Sequence, residues 1–229
     1  MSNASFARRA RGLGLALLLG TLLLSGCGWF TRKVNTDMPI SGDTVAAMRS
    51  VDAAMIDILQ TMDIPGASLT VARDGKIIYQ RGFGWANRQA REAVQPETLF
   101  RIASVSKPMT AVAVLKAFEA ELPAALERPV FGPDGLLTGA RYAQVKDPRV
   151  LKITLRDLLQ HTGGWDSDAY EPQYDLLQIA QALGRPAPAS AADVIEYMLR
   201  FRELQLEPGT YFSYSNFGYN ILGRVLEQK

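Results

Sequence analysis

Ser104, Val105, Ser106 and Lys107 form the only Ser-x-x-Lys in the chain, and Tyr214, Ser215 and Asn216 the only Tyr-x-Asn. On a helix, Lys107 lies one turn beyond Ser104 and is rotated by about 60°, so its amine reaches the hydroxyl. A helix that starts at Ser104 directs its free N–H groups and positive dipole end at that hydroxyl, which favours an alkoxide or an acyl oxyanion. An amine held in apolar surroundings near that dipole gives up its proton more readily and acts as a base. Singly the two patterns are weak. With 12 Ser and 7 Lys in 229 residues, roughly 0.4 Ser-x-x-Lys matches arise by chance. Ser104 alone also reads as a helix N-cap, Lys107 as a solvated first-turn side chain, and Tyr214 and Asn216 as turn and cap residues of a last helix. Order and surroundings must decide.

The elements that would position these groups are readable from periodicity and turn chemistry. Val45, Met48, Met55, Leu59 and Met62 share one face at 100° per residue, which predicts an amphipathic first helix packed on a sheet. Pro65 and Gly66 end it. Residues 67–72, Asp74-Gly75 and residues 76–80 read as a β-hairpin with a two-residue Asp-Gly turn. A second helix is expected from Ser104 to about Glu121, with Pro108 tolerated in its first turn. Ala111, Val112, Val114, Leu115 and Phe118 make it apolar nearly all round, which predicts a central, buried helix. Residues 129–148 are rich in Gly, Pro and Asp and predict loops. Thr154-Leu155-Arg156-Asp157 has the form of a capping box that opens a short helix closed by Gly163 and Gly164. Ser190-Ala191-Ala192-Asp193 repeats the signal ahead of a helix over 194–201. A final helix starts near Asn216 and runs on through Val225 and Leu226.

The first residues carry a different message. Arg8, Arg9 and Arg11, an apolar run over 13–24, and Leu24-Ser25-Gly26-Cys27 have the layout of a secretory signal. The apolar run is about a dozen residues, short of the roughly 20 that span a bilayer. The segment resembles the signal of a bacterial lipoprotein, in which the Cys thiol takes the lipid. Cys27 is the only cysteine and has no disulfide partner. The expected layout is a signal peptide over 1–26, a tether over 27–42 and a folded domain over 43–229. The protein would sit in the cell envelope, facing the periplasm and held to a membrane through a lipid anchor on Cys27. Gly28 after the cysteine favours the outer membrane by the same resemblance.

Phe100-Arg101-Ile102-Ala103-Ser104-Val105-Ser106-Lys107, Leu158-Leu159-Gln160-His161-Thr162-Gly163-Gly164 and Tyr211-Phe212-Ser213-Tyr214-Ser215-Asn216 occur in that order. Together they resemble the serine β-lactamase-related hydrolases: class C β-lactamases, D-Ala-D-Ala carboxypeptidases and β-lactamase-like esterases. The resemblance covers residues 45–229. It implies an α+β fold of the β-lactamase/DD-peptidase type, an antiparallel sheet flanked by helices plus an all-helical subdomain. It also implies Ser104 as nucleophile, Lys107 as the group that helps deprotonate it, Tyr214 as the acid/base for the leaving group and Asn216 as a donor to a substrate amide. The substrate would be a small molecule or peptide with an amide or ester bond, opened through a Ser104 acyl-enzyme without a cofactor. The family's third block, Lys-Thr-Gly or His-x-Gly, is not found after Asn216. The expectation is therefore a chain without the C-terminal strands and final helix of that fold, either a fragment of a longer enzyme or an inactive, poorly stable product. The competing reading is a catalytically silent lipoprotein that binds peptidoglycan or a protein partner.

Composition closes other routes. Lys plus Arg number 25 against 23 Asp plus Glu, with the excess at the signal segment, so no nucleic-acid partner is implied. One His and one Cys make a metal site unexpected. His161, the only histidine, lacks a Gly-x-Ser-x-Gly elbow to serve and falls in a block that is a structural turn in the resembled family. Trp165, Asp166, Asp168 and Tyr170 are expected in a mobile loop near the site entrance. Neither the substrate class nor the oligomeric state is readable from the residues present.

Overall fold

The structure is a computed structural model, and it describes residues 38–229. The expected signal peptide, Cys27 and the tether up to residue 37 lie outside the described residues. The chain divides into two compact units, with the boundary between Phe100 and Arg101.

The first unit is built on a hairpin. Residues Ile40–Ser41 form β1, Arg49–Thr61 α1, Gly66–Arg73 β2, Lys76–Asn87 β3 and Glu92–Ala93 β4. β2 pairs antiparallel with β3 from Gly66↔Gly84 to Arg73↔Lys76, while β1 and β4 also pair with β3. Asp74 and Gly75, at φ +51° and +72°, close the hairpin with both central residues left-handed, as a tight Asp-Gly turn requires. β3 continues past the expected residue 80 because β1 and β4 give its second half backbone partners. Ile40–Ser41, which falls within the segment expected as a tether, pairs with Phe83 and Gly82 of β3. Gly82 permits this close approach: a Cβ there would lie 2.2 Å from the Val94 carbonyl oxygen and 2.6 Å from Ser41 Oγ.

α1 lays Val51, Met55, Ile56 and Leu59 against Tyr79 and Phe83 of β3, with Val45 and Met48 alongside. Met62 is 68% exposed, a correction to the expected stripe: it is the C-cap, past the last turn, and its side chain leaves the helix face. Beneath α1, Asp52 accepts from the Tyr79 hydroxyl at 2.6 Å and from Arg81 Nη1 at 2.9 Å. Burial and the Asp52 hydrogen bond push the Tyr79 phenol up to about 12.

The second unit is helical. Residues Ser106–Ala117 form α2, Leu155–Leu159 α3, Leu176–Leu183 α4, Ala191–Phe201 α5 and Asn216–Gln228 α6, and loops and short 3-10 turns fill 118–154. Both predicted capping boxes are present: Thr154 and Asp157 open α3, and Ser190 and Asp193 open α5, each side chain bonding the other's backbone N–H. α4 has no such box; Asp175 precedes it without a side-chain cap, so a helix there carried no start signal. One continuous core joins the helices, including Phe118, Phe131, Ile153, Leu155, Ile195 and Ile221. Its buried carboxylates, Asp147, Asp157, Asp193 and Glu196, all have partners. Asp147 accepts from Arg149 and from the Leu204 N–H, and Arg149 above all holds its carboxyl down to about 2.

α2 departs from the expectation of a buried central helix. Val114 and Phe118, one turn apart, are buried and α2 packs on α6, but Met109 and Val112 are 55% and 66% exposed. A helix that is apolar all round has no periodicity to choose a face, and among the described residues only the Val114–Phe118 stripe is covered.

Candidate active site

The candidate site of the helical unit begins one turn before α2. Ala103–Val105 is a 3-10 turn, so Ser104 lies in the turn that leads into the helix and α2 itself opens at Ser106. Ala103 is left-handed at φ +44°, a costly conformation for a residue with a Cβ. Such local strain is a recurrent companion of reactive groups. Lys107, the second residue of α2, donates from Nζ to Ser104 Oγ at 3.2 Å and to Asn216 Oδ1 at 2.6 Å. The Tyr214 hydroxyl meets Ser104 Oγ at 2.5 Å. Four residues singled out in the sequence, Ser104, Lys107, Tyr214 and Asn216, thus converge from positions more than 100 residues apart.

Tyr214 is delivered by the segment ahead of α6. Ser215, not Asn216, is the N-cap: its Oγ accepts from the Gly218 N–H at 2.9 Å. That leaves Asn216, the first helical residue, free to turn its amide toward Lys107. The segment is held by His161. The His161 carbonyl accepts from the Ser213 N–H at 2.9 Å and its Nδ1 from the Ser215 N–H at 3.0 Å. The His161 ring also lies against Tyr214 and Tyr219, at centroid distances of 4.7 and 5.0 Å.

His161 reaches this position because it ends α3. The Thr162 N–H donates to the Asp157 carbonyl and the His161 N–H to that of Leu158, the paired bonds of a Schellman motif. His161, at φ +60°, occupies the left-handed position usually given to glycine. The turn thus comes two residues before Gly163 and Gly164, the expected close of the helix. With Nδ1 accepting a backbone N–H, the imidazole is neutral and carries its proton on Nε2. Burial, and then the Lys107 charge, push its pKa below the ordinary histidine value.

Electrostatics favour the ionised form of the phenol. The Lys107 hydrogen bond, followed by that of Ser104, holds the Tyr214 pKa below the usual tyrosine value. The Lys107 amine also lies 4.6 Å from the Tyr214 ring centroid, a cation–π contact that keeps the amine beside the phenol. Behind Asn216 stands a residue that sequence reasoning missed. Asn216 Nδ2 donates to Glu171 Oε1 at 3.3 Å, and burial raises the Glu171 pKa against the opposing pull of Asn216 and Lys107. Only Pro172 after it hinted at a turn, and nothing local tied it to a residue 45 positions away.

The expected mobile loop after Gly164 is in part core. Trp165 is 4% exposed and packs edge-on against Phe217, while Tyr170 lies under the Arg202 guanidinium at 3.8 Å. Side chains of this size and hydrophobicity find cover when a packed helix such as α6 runs beside them. A separate cavity of about 360 Å³, lined by Leu137, Tyr142, Val145 and Leu151 among others, contains no carboxylate, amine or imidazole. The convergent chemistry lies at Ser104.

Comparison with known proteins gives the chain a family. A family model described as Beta-lactamase matches residues 51–228. The chain belongs to that family. Esterase EstB of Burkholderia gladioli is 33% identical over 196 residues, 81% of this chain and 46% of that protein. A penicillin-binding protein homologue from Pyrococcus abyssi superposes with a TM-score of 0.57 at 27% identity, over 78% of this chain and 38% of its own. EstCE1, described as a hydrolase with promiscuous acyltransferase activity, gives the same TM-score, 0.57, at 26% identity, over 80% of this chain and 46% of its own. The α+β architecture expected from the sequence is thus the architecture of these proteins, and this chain spans less than half of their length.

Proposed function

We propose that this chain supplies the acyl-transfer machinery of a serine hydrolase that opens an ester or amide through an acyl-enzyme on Ser104. The observation that carries the reading is the single hydroxyl, Ser104 Oγ, within hydrogen-bond distance of both an amine at 3.2 Å and a phenol at 2.5 Å. Tyr214 first releases its phenolic proton to solvent, with the Lys107 charge stabilising the phenolate, and the Ser104 proton then moves to the Tyr214 oxygen. Ser104 Oγ attacks the carbonyl carbon, the tetrahedral intermediate collapses, and the Tyr214 phenol gives its proton to the departing alkoxide or amine. Water repeats the sequence on the acyl-Ser104 ester and restores the hydroxyl. The likeness to an esterase supports an uncharged ester as first substrate to try. Lipidation of Cys27 belongs to the same proposal and would hold the reaction at a membrane surface, facing the periplasm.

The test is covalent labelling with a fluorophosphonate and, separately, a labelled penicillin, followed by peptide mapping. The label is expected on Ser104 and absent from Ser104→Ala. A folded Ser104→Ala protein that still turned over substrate would refute the assignment. Ligand binding that persists without any acylation would instead support a silent, scaffold-type binding protein.

A further inference from the structure

Asn216 is engaged at both ends of its amide. Its Oδ1 accepts from Lys107 Nζ at 2.6 Å, and its Nδ2 donates to Glu171 Oε1 at 3.3 Å. A primary amide fits its space almost equally well either way round, so its neighbours choose the orientation. An ammonium can only donate and a carboxylate can only accept, so an amide held between the two has one favourable orientation. Glu171 is itself fixed, on the residue before the Pro172–Tyr174 turn, with its second oxygen taking the side-chain N–H of Gln173.

The geometry points to Glu171 as a positioning residue for the Ser104 reaction: by holding Asn216 Nδ2 it aims Oδ1 at Lys107, and so keeps the amine between Ser104 and Tyr214. This rests on Ser104 being the nucleophile. Lys107 has a long, flexible stem, and its bond to Ser104 is the longer and more exposed of the two it makes with these residues. Asn216 is therefore its main tether within the cluster. Without Glu171 the amide loses its reason to face one way. When it turns, Nδ2 meets Lys107 donor to donor, and the amine swings toward solvent. The coupling runs in both directions, since the Asn216 hydrogen bond and the Lys107 charge are what favour the ionised carboxylate against its burial.

A double-mutant cycle separates this role from a merely structural one. The readout is the rate of Ser104 acylation by a fluorophosphonate in the full chain. Glu171→Ala is expected to slow acylation about 10-fold, the scale of one charge-assisted hydrogen bond. In an Asn216→Ala background the same substitution should have no further effect, because the path it acts through is gone. Glu171→Gln retains an acceptor oxygen for Nδ2 and should recover most of the rate. Equal slowing by Glu171→Ala with and without Asn216, or no slowing in either, overturns the inference. A chain that is never labelled at Ser104 refutes the nucleophile instead, and the positioning claim is then read directly. The Asn216 side-chain amide protons, followed by ¹⁵N-resolved hydrogen exchange, should be protected in the native chain and in Glu171→Gln and released in Glu171→Ala. Equal exchange in all three would sink it.

Discussion

The strand unit and the helical unit each hold a half-buried carboxylate with partners, yet to different ends. Asp52 sits under α1 with Tyr79 and Arg81, its two oxygens each bonded once and its ion pair closed on itself. Glu171 sits beside Asn216 with Lys107 beyond, part of a chain of polar contacts that ends on an accessible hydroxyl. The first arrangement spends its polar groups on one another and ties a helix to a sheet. The second leaves Ser104 Oγ as an acceptor for two groups that can each move a proton. Burying polar groups is common to both; what distinguishes the Ser104 cluster is an exposed end and a phenol, Tyr214, whose pKa is lowered where that of Tyr79 is raised.

Four substitutions or conditions would break or sharpen that contrast. The largest effect is expected from Tyr214→Phe, which removes the phenol from Ser104 and should slow acylation by about 10³-fold while leaving the melting temperature nearly unchanged, as calorimetry and labelling rates would reveal. A comparable loss of stability would mean that the cluster is structural, like the one around Asp52. Next, Asp52→Ala leaves the Arg81 guanidinium buried without its partner and should cost about 3 kcal/mol, seen as early unfolding of residues 38–100 by hydrogen exchange. Asp52→Asn, which keeps an acceptor oxygen for the Tyr79 hydroxyl, should cost less. A smaller change belongs to the hairpin: Gly75→Ala meets no neighbour within 4 Å, so only the left-handed backbone opposes it, by about 1 kcal/mol in denaturant midpoint measurements.

The smallest expected effect is a pH dependence from His161. Its pKa is lowered in the folded chain by burial and by Lys107, so below the ordinary histidine value near 6.5 the unfolded chain binds the extra proton more readily. The His161 contribution to stability is therefore complete above about pH 6.5 and declines as the pH falls toward the lowered folded value. Urea midpoints between neutral and mildly acidic pH should show this decline. His161→Asn, which tolerates the left-handed backbone, should lose that part of the slope. An unchanged slope would mean that His161 accepts protons equally in both states.

What could be read from the sequence alone follows from distance along the chain. The Thr154–Asp157 and Ser190–Asp193 boxes and the Asp74-Gly75 turn are made by groups within three residues of one another, so residue type and spacing suffice to specify them. The Ser104–Lys107 pair is local in the same sense, and Tyr214 joined it through the order of three recognisable blocks. The tertiary structure alone decided that His161, and not a glycine, ends α3, because the reason lies in Ser213, Ser215 and the rings of Tyr214 and Tyr219, more than fifty residues away. It alone decided that Trp165 is core, that Ile40–Ser41 joins the sheet, and that one stripe of α2 is covered while Val112 is not. Glu171 belongs with these. Its type and neighbours are ordinary, and its meaning arises only when the fold carries α6 back past the Pro172 turn and sets an amide between a carboxylate and an amine.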